Sequence, residues 1–115
     1  MPRAKNRVAS RARRKKIITQ ASGYFGKRNS AIKTAKDAVY RSGVYAYRDR
    51  RQKKRNFRSL WIMRINAAAR INGTTYGKLI CGLKEKGIEL NRKSLAYLAV
   101  HEPQAFTKIV ETVKG

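Results

Sequence analysis

The sequence predicts an all-α protein in which a long, basic N-terminal helical arm precedes a small C-terminal bundle of short helices. Three observations carry that prediction. Helix-period apolar stripes run through the C-terminal half, strand-like alternation is absent, and charge is divided so unequally that only one half can collapse on itself. The 115 residues leave room for one ordinary domain and little more. With 29 Lys and Arg against 6 acids, the formal net charge is +23. Residues 1–58 hold 20 basic residues and two acids (Asp37 and Asp49), a net of +18. Residues 59–115 hold nine basic residues and four acids (Glu85, Glu89, Glu102 and Glu111), a net of +5. The first span is read as a basic arm and the second as a compact helical domain.

Within the arm, Val8 to Ala21 reads as a helix with Arg11, Arg13, Arg14, Lys15 and Lys16 covering most of its circumference. The segment Gly23-Tyr24-Phe25-Gly26 interrupts it, because paired glycines lower helix propensity and permit positive φ. From about Ser30 a second helix runs without proline to Ile71, with Gly43 as a candidate bend. At ~1.5 Å per residue it would reach roughly 60 Å. Asp49 and Lys53 have the spacing of an i,i+4 ion pair. Against that single pair stand Arg48, Arg50, Arg51, Lys53, Lys54, Arg55 and Arg58. Such a helix repels itself, so it is expected to be partly disordered alone and ordered by phosphates.

The C-terminal half begins with the stripe Leu60, Met63, Ala67 and Ile71, stopped by Asn72-Gly73. Thr75 is the expected N-cap of a helix whose apolar face is Tyr76, Leu79, Ile80 and Leu83, closed by Gly87. Asn91 is placed to cap a helix carrying Leu95, Leu98 and Ala99. Pro103 at the first position opens the last helix, with the stripe Phe106, Ile109, Val110 and Val113. Four short antiparallel helices with brief loops fit a bundle.

The charge excess calls for a polyanionic partner. Apolar runs such as Leu60-Trp61-Ile62-Met63 are too short to span a bilayer, so no membrane partner is expected and nucleic acid leads. Cys81 is alone, which excludes an intramolecular disulfide and reads as intracellular. The N-terminus lacks the apolar core of a secretory signal, although its acid-free, Arg- and Ser-containing start also suits a mitochondrial presequence. Catalysis has little to work with. His101 is the only histidine, so Cys81 with His101 would be the one nucleophile-base pair, and nothing obvious orients the imidazole. One Cys and one His cannot make a metal site, Glu85 and Glu89 sit among lysines, and no phosphate-cradling glycine motif occurs. No enzyme activity, cofactor, metal or small-molecule substrate is therefore expected.

Gly23-Tyr24-Phe25-Gly26 with Lys27-Arg28 has the G-x-x-G spacing of a KH loop but none of the strands that fold requires. It is read either as a turn whose backbone nears RNA while Tyr24 or Phe25 stacks on a base, or as a hinge with locally packed aromatics. The run from Tyr45 to Arg58 carries more weight, because basic residues fall on every side of the helix with Tyr47 and Phe57 among them. Arg supplies forked donors for phosphate and a plane for stacking. Aromatic rings add about 1–3 kcal/mol per stacked base. That pattern suits an RNA interior better than a single DNA groove. A histone-like DNA-compacting protein is the alternative from another class.

Over Ala46-Tyr47-Arg48-Asp49-Arg50-Arg51-Gln52-Lys53-Lys54-Arg55-Asn56-Phe57-Arg58-Ser59-Leu60-Trp61-Ile62-Met63-Arg64-Ile65-Asn66-Ala67-Ala68-Ala69-Arg70, the chain closely resembles the L-twenty family of bacterial large-subunit ribosomal proteins. Ala12-Arg13-Arg14-Lys15-Lys16-Ile17, Gly23-Tyr24-Phe25-Gly26 and Asn91-Arg92-Lys93 extend the likeness to nearly the whole length, which argues against a detachable presequence. The resemblance implies a protein in cytoplasmic ribosomes, with an organellar copy left open. It implies direct binding to 23S rRNA early in subunit assembly, neighbouring large-subunit proteins as partners, and in some members repression of the protein's own mRNA. The chain departs from the family's pattern at Tyr97, where an acidic residue is common, which puts transferred surface detail in doubt. The expected RNA-binding set from the arm is Arg3, Lys5, Arg7, Arg11, Arg13, Arg14, Lys15, Lys16, Tyr24, Phe25, Lys27, Arg28, Lys33 and Arg41. It continues through Tyr47, Arg48, Arg50, Arg51, Lys53, Lys54, Arg55, Phe57 and Arg58 to Arg64, Arg70, Arg92 and Lys93.

Overall fold

The computed structural model describes Arg3 and residues 5–115. In chain order it comprises α1 (Arg7–Gln20), a 3-10 turn (Gly26–Arg28), α2 (Ile32–Ile71), α3 (Tyr76–Glu85), α4 (Arg92–His101) and α5 (Pro103–Lys114). No strand occurs among the described residues, so the fold is all-α as the periodicity predicts. The chain divides into two compact units, one ending at Arg51 and the other Gln52–Gly115, and the division falls inside α2.

In the first unit α1 ends at Gln20, and the chain turns through Gly23 at φ 86 and Gly26 at φ 62. Both values lie in the region a side chain disfavours, which is why glycine occupies these positions. Among the described residues only Ala21 and Ala35 are fully buried here, with Ile17, Ile18, Tyr24, Ile32 and Val39 half-buried. Two buried methyl groups make a thin core. Gly43, a candidate bend, lies inside α2 without interrupting it. Asp49 pairs with its neighbour Arg48 at 3.0 Å, so the expected i,i+4 pairing with Lys53 is corrected.

The second unit has a true core: Ile65, Ala69, Leu79, Leu83, Leu95, Ala96, Phe106 and Val110. Trp61, Tyr76, Ile80, Ile88, Leu98, Ile109 and Val113 pack partly buried against it. The three C-terminal stripes are those expected, but the α2 stripe is not. Met63 and Ile71 are 60% and 86% exposed, Ala67 is exposed, and Leu60 is only half-buried. The face turned inward carries Trp61, Ile65, Ala68 and Ala69 instead. Two helix-period stripes overlap on α2, and the one with small alanines beside a single Ile allows the closer approach.

Ends of the helices follow the glycines. At the end of α2, Gly73 (φ 74) donates its N–H to the Arg70 carbonyl at 3.0 Å and Thr74 donates to Ala69 at 2.9 Å, a Schellman closure. Gly87 (φ 67) repeats it after α3, with Gly87 to Lys84 at 3.1 Å and Ile88 to Leu83 at 2.9 Å. Asn91 caps α4 as expected, its side chain accepting from the Ser94 N–H at 2.7 Å. Thr75 precedes α3 but makes no side-chain cap, and Asn66 on α2 accepts the Tyr76 N–H at 3.3 Å in its place. The cap comes from a residue distant in sequence, so no local pattern could have named it.

Candidate nucleic-acid interface

The basic residues are placed as a solvated, unneutralised surface. On α1, Arg7, Arg11, Arg13, Arg14, Lys15 and Lys16 are all exposed, and no acid lies in its first turn. Arg3, Lys5, Lys27, Arg28, Lys33, Arg41, Arg48, Arg50 and Arg51 are likewise exposed in the first unit. In the second, Lys53, Lys54, Arg55, Arg58, Arg64, Arg70 and Lys93 are exposed. Among the described residues the one ion pair is Arg48–Asp49, with side chains 57% and 59% exposed. A surface pair of that kind contributes about 0–1 kcal/mol and leaves the arm strongly cationic.

Arg92 differs from the rest of the set. It is half-buried and its Nε donates to the Tyr76 hydroxyl at 2.7 Å, so this guanidinium ties α4 to the start of α3. The structure gives it a packing role the sequence did not reveal.

The interleaved aromatics carry cations on their faces. Arg48 lies 5.0 Å from the Tyr45 ring centre and Arg51 4.4 Å from that of Tyr47, to whose hydroxyl it also donates. Lys53 sits 5.9 Å over Phe57, whose ring is 6.3 Å from Trp61. Lys36, outside the expected set, lies 5.7 Å from the Tyr40 ring and is exposed like the other lysines of this unit. Its spacing after Lys33 was the signal available for it. Of the two aromatics in the Gly23–Gly26 segment, Tyr24 is half-buried and Phe25 is 94% exposed.

Cys81, the one thiol, is exposed and donates to Glu85 Oε1 at 3.4 Å. That hydrogen bond, then the charge of the Glu85 carboxylate, pushes the thiol pKa up. An activated nucleophile needs the opposite shift. Among the described residues no helix is long and apolar enough to cross a membrane, and no cluster of three or more potential ligands is placed to hold a metal.

Fold and surface together define a class: an all-α protein with a small bundle and many exposed cations, of which one among the described residues is ion-paired. Comparison with known proteins makes the assignment specific. The family described as Ribosomal protein L20 matches over residues 3–109. The large ribosomal subunit protein bL20 of Chlorobium phaeobacteroides and that of Chlorobium limicola are each 58% identical over 113 residues, covering 98% of both chains. That of Pelodictyon phaeoclathratiforme is 55% identical over the same length. The chain belongs to the ribosomal protein L20 family. It is a structural, non-enzymatic constituent of the large ribosomal subunit, located with the ribosome in the cytoplasm.

Proposed function

We propose that this protein binds 23S rRNA directly through its basic N-terminal half and promotes an early step of subunit assembly. The observation that carries the reading is the run of exposed Arg and Lys from α1 through Arg58, in which a single weak ion pair provides the only internal neutralisation among the described residues. Phosphates are the missing counter-charge. Each cation that engages a phosphate releases condensed counterions, so ordering of the arm and compaction of the RNA reinforce each other.

Aromatic side chains fit the same reading. A cation–π contact at an exposed site is worth about 0.5–1 kcal/mol. Stacking of a base is worth about 1–3 kcal/mol. An unstacked base therefore displaces Arg51 from Tyr47 or Lys53 from Phe57, and the freed cation turns to phosphate. The test is binding of the full chain to a 23S rRNA fragment across a salt series, with duplex DNA as competitor at matched ionic strength. About six to ten phosphate contacts give a log–log slope of roughly −5 to −9. A nearly flat slope contradicts the proposal, and preference for duplex DNA assigns the surface to DNA compaction instead.

A further inference from the structure

One cleft of the first unit is poorly explained by phosphate neutralisation alone. It is open to solvent, measures about 590 Å3 and is lined by Tyr24, Phe25, Arg28, Asp37, Arg41 and Tyr45 among others. That size falls in the range of small-ligand sites, about 300–1,000 Å3. We infer that the cleft takes one unpaired guanine of a single-stranded RNA segment. Asp37 accepts from the base's Watson–Crick edge, Phe25 and Tyr45 flank its plane, and Arg28 and Arg41 meet its phosphates. This rests on the RNA-binding reading above and makes one position of that surface base-selective.

Asp37 is the anomaly that leads there. It is one of two acids in the first 58 residues, it is exposed, and it has no ion-pair partner among the described residues although Lys33 and Arg41 lie one turn away on the same helix. A carboxylate set against an RNA backbone is repelled unless it accepts hydrogen bonds from its ligand. Guanine alone among the four bases offers two adjacent donors, N1–H and the N2 amine, matching the two oxygens of a carboxylate. Adenine and cytosine set one amine beside a ring-nitrogen acceptor, and uracil sets one N–H between two carbonyls that Asp37 would repel. Other ligands fit less well. Arg28 and Arg41 oppose a metal ion, Asp37 opposes a small free anion, and neither would use the aromatic walls. Phe25, 94% exposed on a loop whose Gly23 and Gly26 hold positive φ, is an apolar ring presented to solvent in the same cleft as the carboxylate. Bases are the flat partners that RNA supplies.

The test crosslinks the full-length chain to short uridine strands bearing a central guanosine, inosine or adenosine next to 4-thiouridine, and maps the attached peptides by mass spectrometry. Inosine keeps N1–H and lacks the N2 amine. Guanosine is expected to exceed inosine and adenosine by roughly tenfold in crosslinks to the peptides spanning Tyr24–Arg28 and Asp37–Tyr45, the worth of one good bidentate contact. Asp37→Asn is expected to erase that preference, whereas Asp49→Asn, which removes the other acid, retains it. Equal crosslinking of the three strands at these peptides, or a preference that survives Asp37→Asn, overturns the inference while leaving RNA binding intact. Failure of every strand to associate even at low salt overturns the RNA-binding reading itself, and the inference with it.

Discussion

In a helix interior alanine is ordinarily preferred to glycine by about 1 kcal/mol. Gly82 of α3 reverses that order, because a methyl group built there overlaps Val113 Cγ1 on α5. Valine is stiff at χ1 and cannot swing its methyl aside freely. Overpacking of this kind costs about 1–3 kcal/mol, more than the propensity gain. Gly82→Ala is therefore expected to lower the midpoint of thermal unfolding, and adding Val113→Ala is expected to recover most of the loss. Cys81 makes a second prediction, this time of reactivity. Its thiol pKa is raised by the hydrogen bond to Glu85 and by that carboxylate's charge. Less thiolate is present at a given pH than on an unperturbed cysteine, and the reactive fraction appears only as pH rises further. Glu85→Ala removes both causes, so alkylation of Cys81 measured near neutral pH is expected to accelerate. An unchanged rate would show that the Glu85 contact does not hold the thiol in solution.

At the scale of elements, the sequence was legible wherever the signal was local and ambiguous wherever two signals overlapped. Helix ends at Gly73, Gly87, Asn91 and Pro103 follow from residues that act on their own backbone, and they lie where the sequence placed them. The α2 stripe expected from the sequence lies one face off the buried one, since Leu60-Met63-Ala67-Ile71 has the same period as the inward Trp61-Ile65-Ala68-Ala69 and is no less apolar. Only the partner helices choose between them. The two phases are separable by mutation. Ile65, fully buried, is expected to cost about 2–5 kcal/mol on replacement by alanine, whereas Met63→Ala is expected to stay within about 0.5 kcal/mol. Chemical denaturation of the two variants checks this, and equal losses would reject Trp61-Ile65-Ala68-Ala69 as the inward face. The candidate site shows the same division. That the arm is cationic and exposed was plain from composition, because nothing in the chain could cover it. That Arg92 is engaged by Tyr76, and that Asp37 shares a cleft with Phe25 and Arg41, depends on residues brought together by turning the chain and has no linear signature.

For the whole molecule the decisive quantity is where charge and apolar burial lie along the chain. Residues 59–115 keep every member of the buried cluster, from Ile65 to Val110, together with Trp61, and carry a net charge of only +5. Residues 1–58 carry +18, and the fully buried side chains among those described are Ala21 and Ala35. Two alanines cannot offset the conformational entropy of ordering so many residues, which is about 1–2 kcal/mol per residue for the backbone alone. Mutual repulsion among the Arg and Lys of α1 and α2 adds to the deficit at low salt. Excised 59–115 is accordingly expected to unfold in one cooperative transition. A 1–58 peptide is expected to show weak helical dichroism in buffer and to gain it when 23S rRNA fragments are added, with the gain shrinking as salt screens the phosphates. Simple salt in place of RNA separates the two contributions. Screening alone relieves repulsion without supplying partners, so it should restore only a small part of the helix, whereas phosphates held at fixed spacing on folded RNA should restore most of it. A 1–58 peptide that melts cooperatively by itself would mean that the arm's order is intrinsic, and that rRNA meets a surface already formed rather than one it helps to make.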